Sequence, residues 1–150
     1  MGAHKTISSI LILLLLSFTT PLKAQTNADA IVGFWLTKGD HPAKIQIYAS
    51  GGRYYGKIVW LKEPEQDGKP IVDSKNPDPR LQNQPVIGLL ILKDFRFDDD
   101  EWNGGKVYDP ESGKTYSAFL SLQNSATLKV RGYVGISLLG RTETWTRTQF

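Results

Sequence analysis

Short segments in which apolar and polar residues alternate, separated by turn residues, restrict the fold of this chain more than any other feature. Over residues 43–50, apolar side chains occupy every second position, which is typical of a strand with one buried face. Gly51 and Gly52 follow and predict a tight hairpin turn. Similar patterns predict strands at residues 31–37, 53–60, 102–108, 114–122, 127–134 and 141–148, and the apolar run at 86–92 fits a further strand or a short helix.

Seven or eight such strands without an amphipathic helix between them predict an antiparallel barrel or sandwich. We favour a barrel, because glycines at 56, 88, 104, 105 and 132 suit the bulges and bends that close a small sheet. The predicted fold is therefore an all-β, lipocalin-like antiparallel barrel of about eight strands, formed by a single domain over residues 31–150. A long loop at residues 61–85, rich in Pro, Asp and Asn, is expected to be functional or packed on itself.

The N-terminus has the order of charged, apolar and small residues that is typical of a secretory signal peptide. His4 and Lys5 precede an apolar run from residue 10 to 16, and Ala24 offers a cleavage position. We predict a signal peptide over residues 1–24, a flexible leader over residues 25–30, and export to the periplasm or the medium. The apolar run is shorter than the roughly 20 residues that span a bilayer, so no membrane span is expected.

Composition excludes several classes of function. The formal net charge of +3 falls by two to +1 when Lys5 and Lys23 leave with the signal peptide, which argues against a nucleic-acid or anionic-membrane footprint. The chain has no cysteine, so disulfides, thiolate metal sites and a thiol nucleophile are excluded. We expect no cofactor and no metal.

Two tryptophans and two arginines are candidates for closing the barrel. Gly33-Phe34-Trp35 in the first strand, together with Arg141, Trp145 and Arg147 in the last, resembles the closure of lipocalin-like barrels, in which an arginine covers a tryptophan of the first strand. Such a cation over an indole ring stabilises by about 1 to 2 kcal/mol when water is excluded. The alternative is that Trp35 and Trp145 are ordinary core residues.

Several segments resemble one family of small exported bacterial proteins. They are GKIVWL at 56–61, Asp73, NPD at 76–78, WNGGKVYDP at 102–110, GKTY at 113–116, RGY at 131–133, LGR at 139–141 and WTR at 145–147. In this order they resemble the family of domain of unknown function 2147 (DUF2147), over essentially residues 31–148. The resemblance implies an exported β-barrel and no particular reaction.

Aromatic side chains on the strands favour a binding site for a small apolar or amphipathic ligand. Arg131 shares a strand face with Lys129 and Tyr133, and if this face points inward it offers an anchor for an acidic head group. The alternative is a small barrel that its own side chains fill completely. The candidate ligand-binding residues are Tyr54, Trp60, Trp102, Tyr108, Tyr116, Arg131 and Tyr133.

Asp73, Asn76 and Asp78 in the long loop are candidates for contact with a partner or ligand. Asx turns next to proline explain these residues more simply, and their spacing does not match a helix-flanked calcium loop.

Catalytic groups are few, and we predict no catalytic residue. After export the only imidazole is that of His41, in a turn, and Glu143 with Asp109 is the one carboxylate pair worth considering for hydrolysis. Three hypotheses follow: an exported binder of a small amphipathic ligand, an envelope protein-interaction module with a filled barrel, and a carbohydrate or ester hydrolase.

Overall fold

The computed structural model describes residues 27–150, so the predicted signal peptide lies outside the described residues. These residues form ten strands: β1 (Gly33–Leu36), β2 (Ala43–Ser50), β3 (Arg53–Leu61), β4 (Glu65–Gln66), β5 (Lys69–Pro70), β6 (Leu90–Asp98), β7 (Glu101–Asp109), β8 (Lys114–Asn124), β9 (Thr127–Tyr133) and β10 (Gly140–Thr148). Eight of them form a closed antiparallel barrel in the order β1-β10-β9-β8-β7-β6-β3-β2, and β4 pairs only with β5. The predicted all-β barrel of about eight strands is confirmed.

Strand β6 departs most from its sequence pattern. Its first residues belong to the apolar run at 86–92 in the sequence. Further along, Lys93, Asp94 and Arg96 are exposed, and Asp94 has a positive φ of 64°. The register with β3 is irregular along this strand. A backbone irregularity shifts the inward face of the strand, so simple alternation could not predict its second half.

Two glycines let the barrel wall approach its core closely. A Cβ added at Gly105 would lie 2.4 Å from Cγ of Phe95, and one at Gly56 would lie 2.8 Å from Cδ1 of Leu92. Both Phe95 and Leu92 are fully buried. Because Gly105 and Gly56 have no side chain, Phe95 and Leu92 of β6 can pack directly against the barrel wall.

The barrel has a lower end and an upper end, which we name by their connections. Turns 51–52, 99–100 and 125–126 and the chain termini of the domain lie at the lower end, whereas loops 37–42, 62–89, 110–113 and 134–139 lie at the upper end. The core between them is filled mostly by large side chains: Trp35, Ile45, Ile47, Tyr54, Ile58, Leu92, Phe95, Trp102, Leu120, Leu128, Val130 and Trp145.

A short 3-10 helix, Ala28–Ile31, covers the lower end. Ile31 is fully buried, and the indole N–H of Trp102 donates to the carbonyl of Ala28 over 2.9 Å. We expected a flexible leader over residues 25–30, but residues 28–30 belong to this helix. A single helical turn has no periodicity that a sequence can display, and the order comes from contacts with distant residues.

The long loop is packed on itself. Besides the β4–β5 hairpin it contains a bridge between Val72 and Pro85 and a 3-10 helix, Pro79–Leu81. Ile71 and Val86 pack against the core. Within residues 27–150, no helix is long and apolar enough to cross a membrane.

Candidate functional site

The lower end is closed by Trp35 and Arg147. The guanidinium carbon of Arg147 lies 4.2 Å from the centre of the Trp35 ring, and the indole N–H of Trp35 donates to the carbonyl of Ile31 over 2.8 Å. Arg147 also donates to the carbonyls of Ala30, Val32 and Ser125. Partial burial lowers the pKa of Arg147, which nevertheless stays charged at any physiological pH. This end is therefore closed by the chain itself.

Arg141 and Trp145 do not take part in that closure. Trp35 pairs directly with Arg147 across β1 and β10, so Arg141 lies toward the other end of β10. Trp145 is buried in the core, and its indole N–H donates to a carboxylate oxygen of Glu143 over 3.2 Å.

The predicted ligand-binding residues are not gathered around one cavity. Trp102 and Tyr54 are buried near the lower end, where the Tyr54 hydroxyl donates to Asp29 over 2.7 Å. Trp60 lies at the surface, with the ammonium of Lys44 5.4 Å from its ring centre. Tyr133 is half-buried beside Phe119, at 6.5 Å between ring centres. Of these aromatic residues, only Tyr116 lies on the inner face at the upper end.

Arg131 points away from the barrel interior. Leu128 and Val130 of the same strand are buried, so the alternate residues Lys129 and Arg131 face outward. The Arg131 guanidinium donates to the carbonyl of Ser137 over 2.6 and 2.8 Å and to the hydroxyl of Thr142 over 2.8 Å. The condition under which Arg131 would anchor a ligand inside the barrel is therefore not met.

Toward the upper end of β7 to β10, several inner-face residues are partly or fully exposed. Arg141 pairs with Gly132, and Gly132 pairs with Ala118, so these three share the inner face. A Cβ at Gly132 would meet Cγ1 of Val107 at 3.4 Å and Cβ of Tyr116 at 3.5 Å. We call the partly or fully exposed inner-face residues Val107, Tyr116, Gly132, Arg141 and Glu143 the upper recess.

The barrel wall is open beside this recess. Strand β10 pairs with β9 from Gly140 to Thr146 but with β1 only from Thr146 to Thr148. Residues 140–145 therefore have a neighbouring strand on one side only. Glu143 faces inward like Trp145 and is nevertheless exposed, because no strand covers this edge.

The charges in the upper recess are of opposite sign and differ in their partners. Glu143 accepts the hydrogen bond from Trp145. Among residues 27–150, the guanidinium of Arg141 has no hydrogen-bond or ion-pair partner. A charged guanidinium beside half-buried apolar side chains can bind an acidic group.

Asp73, Asn76 and Asp78 serve the internal structure of the long loop. The carboxylate of Asp73 is fully buried and accepts bonds of 2.7 Å from the Tyr108 hydroxyl and from the Asn76 amide. Burial, and then the bond to Asp73, raise the pKa of Tyr108 to about 12. Asp78 caps the 3-10 helix and pairs with Arg80, which lowers the pKa of Asp78.

Metal-binding and catalytic groups do not assemble within residues 27–150. No set of three or more His, Asp or Glu side chains is placed to hold a metal ion in this range. His41 is exposed on the loop between β1 and β2. Asp109 caps its own turn, accepting from the amide of Glu111 at 2.9 Å and the hydroxyl of Ser112 at 2.6 Å, whereas Glu143 binds Trp145.

Two surface depressions lie apart from the upper recess. One of about 650 Å³ at the lower end is lined by Asp98, Asp99, Asp100, Glu101, Asn103, Ser121 and Leu122. The other, of about 430 Å³, is lined by residues of β1 to β3, by Ile87 and Gly88, and by Phe150. The first is strongly acidic and the second more apolar.

Eight antiparallel strands closed over a filled core, with a 3-10 helix and an arginine-covered tryptophan at one end, define a lipocalin-like barrel. A solved structure shares this fold, with a TM-score of 0.68 and 23% sequence identity over 79% of this chain and 82% of that chain. Its description reads that protein HP1028 from the human pathogen Helicobacter pylori belongs to the lipocalin family. A search of curated proteins gave no match.

The chain itself belongs to the family described as uncharacterized protein conserved in bacteria (DUF2147), whose model matches residues 33–147. The resemblance found in the sequence is thereby confirmed.

Sequence reasoning did not single out Val107, Gly132 or the role of Arg141 in the upper recess. Gly132 on a strand marks a place where space or close approach is needed, and it was noted only as a bend. Arg141 was assigned to the closure because its position relative to Trp35 depends on the register between β1 and β10. Pairing between the first and last strands of the barrel has no local sequence signal.

Proposed function

We propose that this protein is an exported lipocalin-like binder of a small amphipathic ligand with an acidic head group, and that the ligand occupies the upper recess. The observation that carries the proposal is the guanidinium of Arg141, which has no partner among residues 27–150 and lies on the exposed upper part of the inner face. The fold supports the proposal, since barrels of this type offer their inner surface to ligands.

The recess suits a ligand that enters only partway. Below it, Leu120 and Val130 are buried and Phe95 covers Gly105, so a long chain cannot reach the lower end without repacking the core. Val107 and Tyr116 supply apolar contact, while Arg141 supplies a charge-assisted hydrogen bond. Glu143 lies beside Arg141 and disfavours a second negative charge on the ligand.

A fluorescent fatty acid tests the proposal. Dansyl-labelled undecanoic acid and its methyl ester are titrated into the protein, and the dansyl emission gives the two dissociation constants. A charge-assisted bond contributes about 1.5 to 3 kcal/mol, so Arg141→Gln should weaken binding of the acid by about 10- to 100-fold. Binding of the ester should change little.

Two variants complete the experiment. Gly132→Val places a side chain in the recess and should weaken binding of both probes, with circular dichroism showing that the barrel remains folded. Arg96→Gln removes an exposed cation from β6 and should leave both constants unchanged. Equal binding of acid and ester by the wild type, or no binding at all, would reject the proposal and leave the filled-barrel interaction module as the better account.

A further inference from the structure

Strand β10 has an edge without a neighbouring strand at the upper end of the barrel. It pairs with β1 over residues 146–148 only, because β1 ends at Leu36. In the loop that follows, the amide of Thr37 donates to the carbonyl of Ala43 on β2, so the chain turns away from β10. In the described part of the chain, residues 140–145 of β10 therefore have an open edge.

The backbone groups that point to this open edge follow from the pairing with β9. The amide of Arg147 donates to the carbonyl of Ala126, on the side of β9, over 2.9 Å. Backbone groups of successive residues point to opposite neighbours, and β10 pairs with β9 over residues 140–146 without a shift in register. The N–H and C=O groups of Thr142 and Thr144 therefore point to the open edge, and no backbone group of the described residues pairs with them.

The side chains beside the open edge restrict which strand can pair with it. An open edge is a template for another strand, because its backbone donors and acceptors are free. Arg141 and Glu143 alternate with the two threonines, and both are exposed. Opposite charges directly across an antiparallel pair stabilise the pairing, whereas like charges destabilise it. The strand that fits therefore has an acidic residue opposite Arg141 and a basic residue opposite Glu143.

The same segment of a second copy meets this requirement. If Thr142 of each copy lies opposite Thr142 of the other in an antiparallel pair, Arg141 lies opposite Glu143 on both sides of the two-fold axis. The two Thr142 residues then exchange backbone hydrogen bonds across that axis. The neighbouring registers that keep the free backbone groups opposite each other would place Arg141 opposite Arg141, or Glu143 opposite Glu143. The charges therefore favour one register over its neighbours.

We infer that the protein forms a two-fold symmetric dimer through residues 140–144 of β10, in which Arg141 of each copy pairs with Glu143 of the other. The second copy thereby contributes a carboxylate to the upper recess. This goes beyond the proposed function, and an acidic ligand competes with the second copy for Arg141. The experiments below contain no ligand, so their results do not depend on whether a ligand binds. A ligand titration at a concentration where the protein is monomeric tests the proposed function separately.

Sedimentation equilibrium tests the dimer. The wild type should show an equilibrium between monomer and dimer and no larger species, because pairing uses the open edge of both copies. Arg141→Glu and Glu143→Arg each place like charges opposite each other twice, so each should lower the association constant by about tenfold or more. A wild type that stays monomeric up to about 1 mM would contradict the inference.

A mixture of the two charge-reversal variants tests the register. Equal amounts of Arg141→Glu and Glu143→Arg restore opposite charges in both pairs, so the mixture should dimerise like the wild type. Glu65→Arg is the matched control, because Glu65 is exposed in the separate β4–β5 hairpin, and this variant should also associate like the wild type. The inference is wrong if the mixture stays monomeric while circular dichroism shows both variants folded, or if Glu65→Arg weakens association as much as Glu143→Arg.

The backbone pairing is tested at Thr142. Thr142→Pro removes the N–H that points to the open edge and Thr142→Val keeps it, while both remove the hydroxyl that accepts from Arg131. Proline is tolerated on an edge strand where the missing N–H faces solvent, so both variants should fold and only the proline variant should lose the dimer.

Amide hydrogen exchange in the wild type locates the contact without any substitution. Exchange at Thr142 and Thr144 should slow as the protein concentration rises and the dimer forms. Exchange at these two amides that does not change with concentration, or equal association by Thr142→Pro and Thr142→Val, would show that another surface joins the two copies and would overturn the inference.

Discussion

The contact between Asp73 and Tyr108 should be the main attachment of the long loop to the barrel, and a double-mutant cycle measures it. Asp73 is fully buried, and its two oxygens accept hydrogen bonds from the Tyr108 hydroxyl and the Asn76 amide, each 2.7 Å long. Tyr108→Phe removes one donor. Asp73→Ala removes the acceptor of both bonds and leaves two buried donors.

The magnitudes follow from these bonds. A hydrogen bond to a charged group contributes about 1.5 to 3 kcal/mol, and an unsatisfied buried donor costs about 1 to 3 kcal/mol. We expect Tyr108→Phe to lower the free energy of unfolding by about 2 kcal/mol and Asp73→Ala by about 4 kcal/mol. The double variant should be less destabilised than the sum, with a coupling energy of about 1 to 2 kcal/mol.

Urea unfolding followed by tryptophan fluorescence gives these values, because the four tryptophans report on the barrel. Asp78→Ala is the control, because it removes only an exposed ion pair with Arg80 and the cap of a short 3-10 helix. The two losses together should lower the free energy of unfolding by less than about 1 kcal/mol. A coupling energy indistinguishable from zero between positions 73 and 108 would refute the reasoning, since it would mean that the loop is held by other contacts.

Two further predictions concern buried groups of the barrel. Burial, and then hydrogen bonds to Asp29 and Asp73, raise the pKa of Tyr54 and of Tyr108 to about 12, above the unfolded value of about 10. The folded state therefore keeps protons that the unfolded chain loses, so stability should be full below pH 10 and fall between pH 10 and 12. Tyr54→Phe and Tyr108→Phe should each flatten this fall in urea unfolding, and an unchanged slope would contradict the assignment. Gly105→Ala should lower the free energy of unfolding by about 1 to 3 kcal/mol, because the new Cβ would lie 2.4 Å from the Phe95 ring. Gly132→Ala is the control: its Cβ would lie 3.4 Å from Val107, so urea unfolding should show little change in stability.

Local alternation was enough to predict most of the strands, and the glycines on them favoured a barrel over a sandwich. In β9 the buried face of Leu128 and Val130 already implied that Lys129 and Arg131 point outward, since the side-chain period of a strand is two. An inward Arg131 would have required this apolar face to point to solvent. The sequence therefore contained the argument against Arg131 as an anchor inside the barrel.

The parts that sequence reasoning missed depend on contacts between distant residues. Asp73 was visible as an oxygen ligand in a loop, but its burial depends on Tyr108, 35 positions further along the chain. Trp35 has two arginines of the last strand within reach by sequence, and only the register between β1 and β10 selects Arg147. Such pairings are properties of the closed barrel and not of any segment.

The position of the bound ligand tests the central claim most directly. Amide chemical shifts in an NMR titration with unlabelled undecanoic acid should change at Tyr116, Gly132 and Arg141, with only small changes at Trp35 and Ile31 at the closed lower end. The Arg141→Gln variant should lose these changes at the same concentrations. Shifts centred on Trp35, or changes spread over the outer face with none at Gly132, would contradict binding in the upper recess.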